Sequence, residues 1–131
     1  MEEAIKQRLF AQLVGQSLPI AWPNVDFIPP EDQKWLKVDY IPNRVDRLFV
    51  GSTEPHQYLG LLQVSVCWPL GAGTDDAGQV AQEIVDLFPV DLKLGTTDPI
   101  VRIYERSSVA AVIIGETSIF IPVRVKWETY A

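Results

Sequence analysis

The sequence is poor in the residues on which metal, redox and secretory chemistry depend. Its 131 residues include one cysteine, Cys67, one histidine, His56, and one methionine. A single cysteine forms no internal disulfide and no cysteine-based metal site, and a single histidine excludes a two-histidine site. Apolar runs such as 109–114 are far shorter than the roughly 20 residues of a membrane-spanning helix. The start of the chain, MEEAIKQRLF, carries acids where a secretory signal carries positive charge, so a cytoplasmic address is expected.

Basic residues are also scarce. The chain has 11 lysines and arginines against 17 aspartates and glutamates, which gives a formal net charge of −6. A field of this sign repels phosphate backbones, so sequence-specific nucleic-acid binding is not expected. The length suits one domain, residues 1–131, and the 47% hydrophobic content is that of a folded protein.

Apolar residues recur at helical spacing in two segments. The first, 2–15, carries an apolar stripe and ends at Gly15, a position typical of a helix C-terminus. Its stripe comprises Ile5, Leu9, Phe10, Leu13 and Val14. The second predicted helix spans about 75–88. Thr74, Asp75 and Asp76 stand at its start, where a hydroxyl and two carboxylates favour helix capping; binding of a hard cation is the alternative.

Alternating patterns predict strands at 35–41, 58–68, 100–106, 109–116 and 118–128, with 43–57 as a long loop or mobile hairpin. The order predicts an α+β fold in two layers, with a mainly antiparallel β-sheet of about five strands and two α-helices packed on one face. Pro122 lies in the last strand and removes a ladder donor, which is tolerated mainly in an edge strand or at a bulge, so this strand is a candidate for a free edge. That edge is either protected against pairing or used to pair with another chain.

No pattern points to catalysis, to a cofactor or to a metal. His56 lies in a polar loop, and the nearby Ser52 has no strand-turn-helix elbow. Cys67 stands in a strand, where cysteine is usually a small apolar residue. Gly71-Ala-Gly73 precedes a helix, but the third glycine and the lysine of a phosphate loop are missing. We therefore predict no catalytic, cofactor-binding or metal-binding residues and no enzyme activity.

A series of short segments, taken in order, resembles the tail terminator-like family of long-tailed bacteriophages and prophages. After the first amphipathic helix come IAWPNVDFIPP at 20–30, WLKV at 35–38 and GLLQVSV at 60–66. They are followed by PLGAGT at 69–74, LFP at 87–89 and FIPVRV at 120–125. The resemblance covers nearly the whole chain, and it is carried by the order and spacing of the segments.

The resemblance implies an α+β protomer without enzyme activity or cofactor. It implies a homo-oligomeric ring, expected to be a hexamer, which caps the tail tube, stops its polymerisation and offers a surface to the head. The partners would be the tail tube protein and a head–tail connector or neck protein, and the location would be the virion after assembly in the host cytoplasm. From expected exposure we nominate the 43–57 segment as the interface, with Arg44, Arg47 and Phe49 as its first residues to test.

Two alternatives stay open at this point. One is another neck or head-completion protein of the same virion, because such proteins share small α+β folds and ring symmetry. The other is a small cytoplasmic enzyme or ligand-binding domain with a pocket between helices and strands. That reading would require convergent polar groups in an apolar cleft, and the sequence shows none.

Overall fold

The computed structural model describes residues 2–16, 18–47, 56–97 and 100–130. These residues form two helices, α1 (Glu2–Ala11) and α2 (Asp75–Leu87), and eight strands. The strands are β1 (Ile20–Ala21), β2 (Trp35–Arg47), β3 (His56–Pro69), β4 (Lys93–Leu94), β5 (Val101–Ile103), β6 (Ser108–Val109), β7 (Ile113–Ile114) and β8 (Ser118–Tyr130). The α+β class is confirmed, but the prediction of about five strands is not.

Three long strands form the centre of the sheet. The order is β1-β2-β3-β8-β5-β4, and β6 and β7 also pair with β8. β3 pairs antiparallel with β2 on one side and with β8 on the other. β1 pairs parallel with β2, with Ile20 opposite Leu36, so the sheet is mixed. β1 has only two residues and lies between prolines, so it shows no alternation that sequence reading could detect.

One face of the sheet carries the core. On β8 the predicted alternation is confirmed, since Arg124 and Lys126 are exposed between buried neighbours. The buried β8 residues are Ile119, Ile121, Val123, Val125 and Trp127. They share one cluster with Ile5, Leu9 and Leu13 of the first helical segment and with Ala77, Ala81, Ile84 and Val85 of α2. Among the described residues, neither helix is long and apolar enough to cross a membrane.

The first helix is shorter than predicted. α1 ends at Ala11, and the next residues form tight turns. The Leu13 N–H donates to the Phe10 carbonyl at 3.0 Å, and the Gln16 N–H donates to the Leu13 carbonyl at 3.1 Å. This i to i−3 pattern changes the angle between successive residues. Leu13 stays buried, whereas Val14 is 68% exposed, so its place in the predicted apolar stripe is wrong.

The strand predicted at 109–116 is broken into β6 and β7. Val109 lies opposite Val123 and Ile113 opposite Phe120, which is a register shift of one residue across 110–112. Likewise, the strand predicted at 100–106 is reduced to the three residues of β5.

The break between β6 and β7 explains how the sheet accommodates a proline at position 122. Its carbonyl accepts a hydrogen bond from the Ala110 N–H at 2.8 Å, so the backbone of Pro122 faces the broken side. In an antiparallel ladder the N–H and C=O of one residue point to the same neighbour. The missing proline N–H therefore falls where the ladder is already interrupted. Of the two predicted settings for Pro122, the edge strand is wrong, because β8 pairs on both sides, whereas an irregularity of the ladder is present as the register shift between β6 and β7.

Candidate interaction surfaces

The nominated interface lies at the end of the β2–β3 hairpin. The two strands pair from Trp35 opposite Cys67 to Arg47 opposite His56. Residues 43–47 and 56–57 are therefore strand, where the sequence predicted a loop or mobile hairpin. The charged pattern of 43–47 shows no alternation, but pairing with β3 fixes its backbone, since strand formation depends strongly on neighbours.

The backbone places two of the three nominated residues on this hairpin. A bulge between Pro42 and Arg44 shifts the register, so that Arg44 lies opposite Leu59. Arg47 lies opposite His56, one pair beyond the last β3–β8 pair at Gln57. Phe49 lies outside the described residues. The hairpin thus brings Arg44 and Arg47 to one end of the long central strands.

An ion-pair network links β5 to β8 and reaches Gln57 of β3, which pairs with Asp46 of the hairpin. Arg102 on β5 contacts the carboxylates of Asp91 and Glu128, each at 2.5 Å. The Gln57 amide donates to the second Glu128 oxygen at 2.8 Å. Hydrogen bonds to Asp91 and Glu128 raise the pKa of Arg102 above its ordinary value. The network joins β3, β5 and β8 and leaves the Glu128 oxygens bonded, as expected for a structural cluster.

Among the described side chains, those considered for chemistry form no reactive cluster, and Ser52 lies outside the described residues. The Cys67 thiol is buried, and burial raises its pKa to about 12 against a weaker opposing effect of Lys37. Thr74 is the N-cap residue of α2, but its side chain makes no capping hydrogen bond, so the predicted hydroxyl cap is wrong. Asp75 and Asp76 do lie in the first turn. Within the described ranges no three His, Cys, Asp or Glu residues are grouped to hold a metal ion.

A second surface, which sequence reading missed, lies beside β8. We call residues Ser108–Ile114 the apolar edge. Four of its side chains are large, apolar and exposed: Val109 at 48%, Val112 at 41%, Ile113 at 56% and Ile114 at 74%. In the described part of the chain, no strand pairs with the far side of β6 or β7. The signal was the uncharged run Ser107 to Gly115, most of which falls within the regular strand predicted at 109–116.

A third surface lies at the opposite end of the sheet, beside β1 and β2. We call residues 24–32 the proline segment. Phe27 packs on Trp35 with 5.0 Å between ring centroids, and the next residue, Ile28, is 91% exposed. A groove of about 370 Å³ runs between this segment and β2, and Lys37 and Asp39 contribute to its lining.

Comparison with known proteins identifies a family and solved structures of similar fold. A family model described as phage tail terminator protein matches residues 1–127. A solved structure with 30% sequence identity superimposes with a TM-score of 0.73, and the match covers 98% of this chain and 92% of the other. No curated protein matches the chain.

Proposed function

The chain belongs to the phage tail terminator family, and from this premise we propose that it caps the tail tube as a ring and stops tube polymerisation. The family is one of structural tail proteins, which agrees with the predicted absence of enzyme activity. The ring is proposed to be a hexamer of the single domain 1–131, located in the virion at the junction of tail and head after assembly in the host cytoplasm. Its free face would bind the neck protein.

The observation that carries this proposal is the extent of the family match, which leaves only four residues uncovered. The apolar edge is consistent with it. Monomeric proteins rarely expose contiguous apolar strips on an unpaired strand, because such strips associate. A protein that spends its functional life in a ring can keep such a strip, since assembly buries it.

Tube elongation provides the direct test. Purified tail tube protein of the same phage would be polymerised with and without this chain, and tube lengths would be measured by negative-stain electron microscopy. We expect shorter tubes and a ring on one end of each. A head-completion protein would leave tube length unchanged and bind heads instead, and that outcome would overturn the proposal in favour of the alternative.

We further propose that the hairpin end contacts the tube or the neighbouring protomer. The position of Arg47 one pair beyond the last β3–β8 pair supports this, because a strand end that extends past its neighbour can reach another molecule. The double variant Arg47→Ala/Phe49→Ala should lose capping. Val90→Ala/Lys93→Ala is a matched control, since it removes one exposed apolar side chain and one exposed cation elsewhere. Capping by the hairpin variant equal to that of the control would refute this assignment.

A further inference from the structure

The apolar edge lacks the charged and proline residues by which proteins commonly protect a sheet edge, and only the shortness of β6 and β7 limits strand pairing there. Edge strands are usually blunted by charged side chains or proline. From Ser107 to Gly115 the sequence SSVAAVIIG contains neither. The opposite edge is blunted, since Pro19 and Pro23 flank β1 and Pro42 lies within β2. One end of the sheet therefore lacks charged and proline residues, whereas prolines hinder direct strand pairing at the other.

The blunted end presents an apolar side chain instead. Ile28 of the proline segment is 91% exposed, while the preceding Phe27 packs on Trp35. Pro29 and Pro30 follow, and each ring fixes its own φ angle. An exposed isoleucine between an anchored aromatic and two prolines is presented with little conformational freedom. Such a preorganised apolar group loses little entropy on binding.

The charges around the two surfaces are complementary. On the proline segment Asp26, Glu31 and Asp32 are exposed, and the segment contains no basic residue. Beside the apolar edge, the exposed cations Arg106, Arg124 and Lys126 outnumber the exposed carboxylates of Glu105 and Glu116, and Glu105 is paired with Lys126, so the balance of charge there is positive. The Arg124 Nε donates to the neutral amide oxygen of Gln63 at 3.4 Å, and Arg124 lies opposite Ser108. Complementary rims of this kind guide association and fix the register of the partners.

We propose that the apolar edge of one copy binds Ile28 and the proline segment of the next copy, and that this contact joins the protomers. The inference rests on the proposed ring and names its surfaces. The two surfaces lie at opposite ends of the sheet, four strand spacings or about 19 Å apart. A contact between two different surfaces is heterologous and can close a ring, whereas one surface meeting itself gives a dimer. Each such contact covers the apolar edge of one copy and the proline segment of the next, so both surfaces of every protomer are covered when the ring closes.

Site-specific cross-linking tests the pairing. The double variant Ile28→Cys/Ile113→Cys would be treated with a short bifunctional maleimide, using the wild-type chain as the background. Cys67 can remain, because it is buried. We expect a ladder of covalent oligomers from the double variant and none from either single variant. An equal mixture of the two single variants should give covalent pairs and no larger species.

Other cross-linking patterns would overturn the assignment. Covalent dimers from Ile113→Cys alone would mean that two apolar edges meet across a two-fold axis. No cross-linking by the double variant, while the wild type forms rings and caps tubes, would refute these surfaces and leave the proposed function standing. Failure of the wild type to cap tubes would instead refute the proposed function, so the two failures are distinguishable.

A charged substitution on the apolar edge gives an independent readout. Ile114→Asp should keep the melting temperature of the monomer, since the side chain is 74% exposed, and should reduce ring formation at least tenfold. Val14→Asp is the matched control, because Val14 is 68% exposed and lies outside both surfaces. Rings formed by Ile114→Asp at the concentration needed by the wild type would contradict the inference.

Discussion

Gly60 offers a direct test of how closely the core is packed. It lies opposite Trp127, and a Cβ added to it would overlap the indole ring of Trp127. That ring stacks on Tyr40 with 5.7 Å between centroids and so has little room to move away. Gly60→Ala should therefore lower the free energy of unfolding by about 2 kcal/mol, as overpacked cores do. Urea denaturation would measure the change.

Gly78 provides the matched control for Gly60. It lies within α2, and a Cβ there would have no neighbour within 4 Å. Gly78→Ala should raise the free energy of unfolding by about 0.5–1 kcal/mol, since alanine favours a helix. In a Trp127→Leu background the cost of Gly60→Ala should shrink. An unchanged cost would show that the indole is not its cause.

Cys67 is predicted to be unreactive in the folded protein. Burial raises its pKa to about 12, so almost no thiolate forms near pH 8, and the thiolate is the reactive species. Ellman's reagent should react slowly in buffer and at the rate of a free thiol in denaturant. Fast labelling of the folded protein at pH 8 would contradict the burial of this side chain.

The same thiol makes stability depend on pH. Its pKa is about 12 when folded and near 9 when unfolded, so between these values the folded state holds one more proton. Its contribution is complete below pH 9 and is lost as the pH rises toward 12. Cys67→Ala should flatten the fall of the melting temperature across that range.

At the scale of the elements, the Arg102 network holds the short strand β5 to β8, with which it forms only two residue pairs. β5 is only three residues long, and it pairs with β8 at Arg102 opposite Glu128. Arg102→Met would leave the largely buried Glu128 carboxylate bonded by Gln57 only. Removing one partner of such a pair leaves the other charge buried without an opposite charge. We expect the melting temperature to fall by several degrees.

An exposed ion pair serves as the comparison for Arg102. Lys126 and Glu105 approach to 2.9 Å, but their side chains are 48% and 54% exposed. Exposed pairs contribute little, so Lys126→Met should leave the melting temperature nearly unchanged. Adding Glu128→Gln to Arg102→Met should recover part of the lost melting temperature, since it removes the carboxylate that has lost its cation. Equal melting temperatures for Arg102→Met and Lys126→Met would contradict a structural role of the network.

The elements that sequence reading located best are those whose pattern is set by burial on one face. β8 alternates because its inner side chains fill the core, and α2 was placed to within one residue. The extent of the hairpin could not be read, because the pairing of Arg44 to Arg47 with β3 is a long-range event. The break between β6 and β7 was equally hidden, since 109–114 is apolar throughout and gives no period to interrupt.

The candidate surfaces illustrate the same limit. Arg44 and Arg47 are nominated from expected exposure, and the backbone lies in the end of the β2–β3 hairpin at both residues; their role at an interface stays a prediction. The apolar edge could not be nominated, because a sequence does not tell a buried central strand from an exposed edge strand of the same composition. Pro122 gave a misleading signal for that reason. It reported an interruption of the ladder correctly, but the free edge belongs to the strands it faces.

At the scale of the whole molecule, assembly should make size and stability depend on concentration. Six protomers of 14.7 kDa would have a mass of about 88 kDa. Light scattering coupled to size exclusion should show the population of this species increasing with protein concentration. The melting temperature should rise in parallel, because only folded protomers associate. Ile114→Asp should remain at the mass of one protomer with a melting temperature independent of concentration. The wild-type melting temperature could instead stay constant while the mass rises. That result would mean that the contact between protomers does not stabilise the fold, and it would contradict an interface that buries the apolar edge.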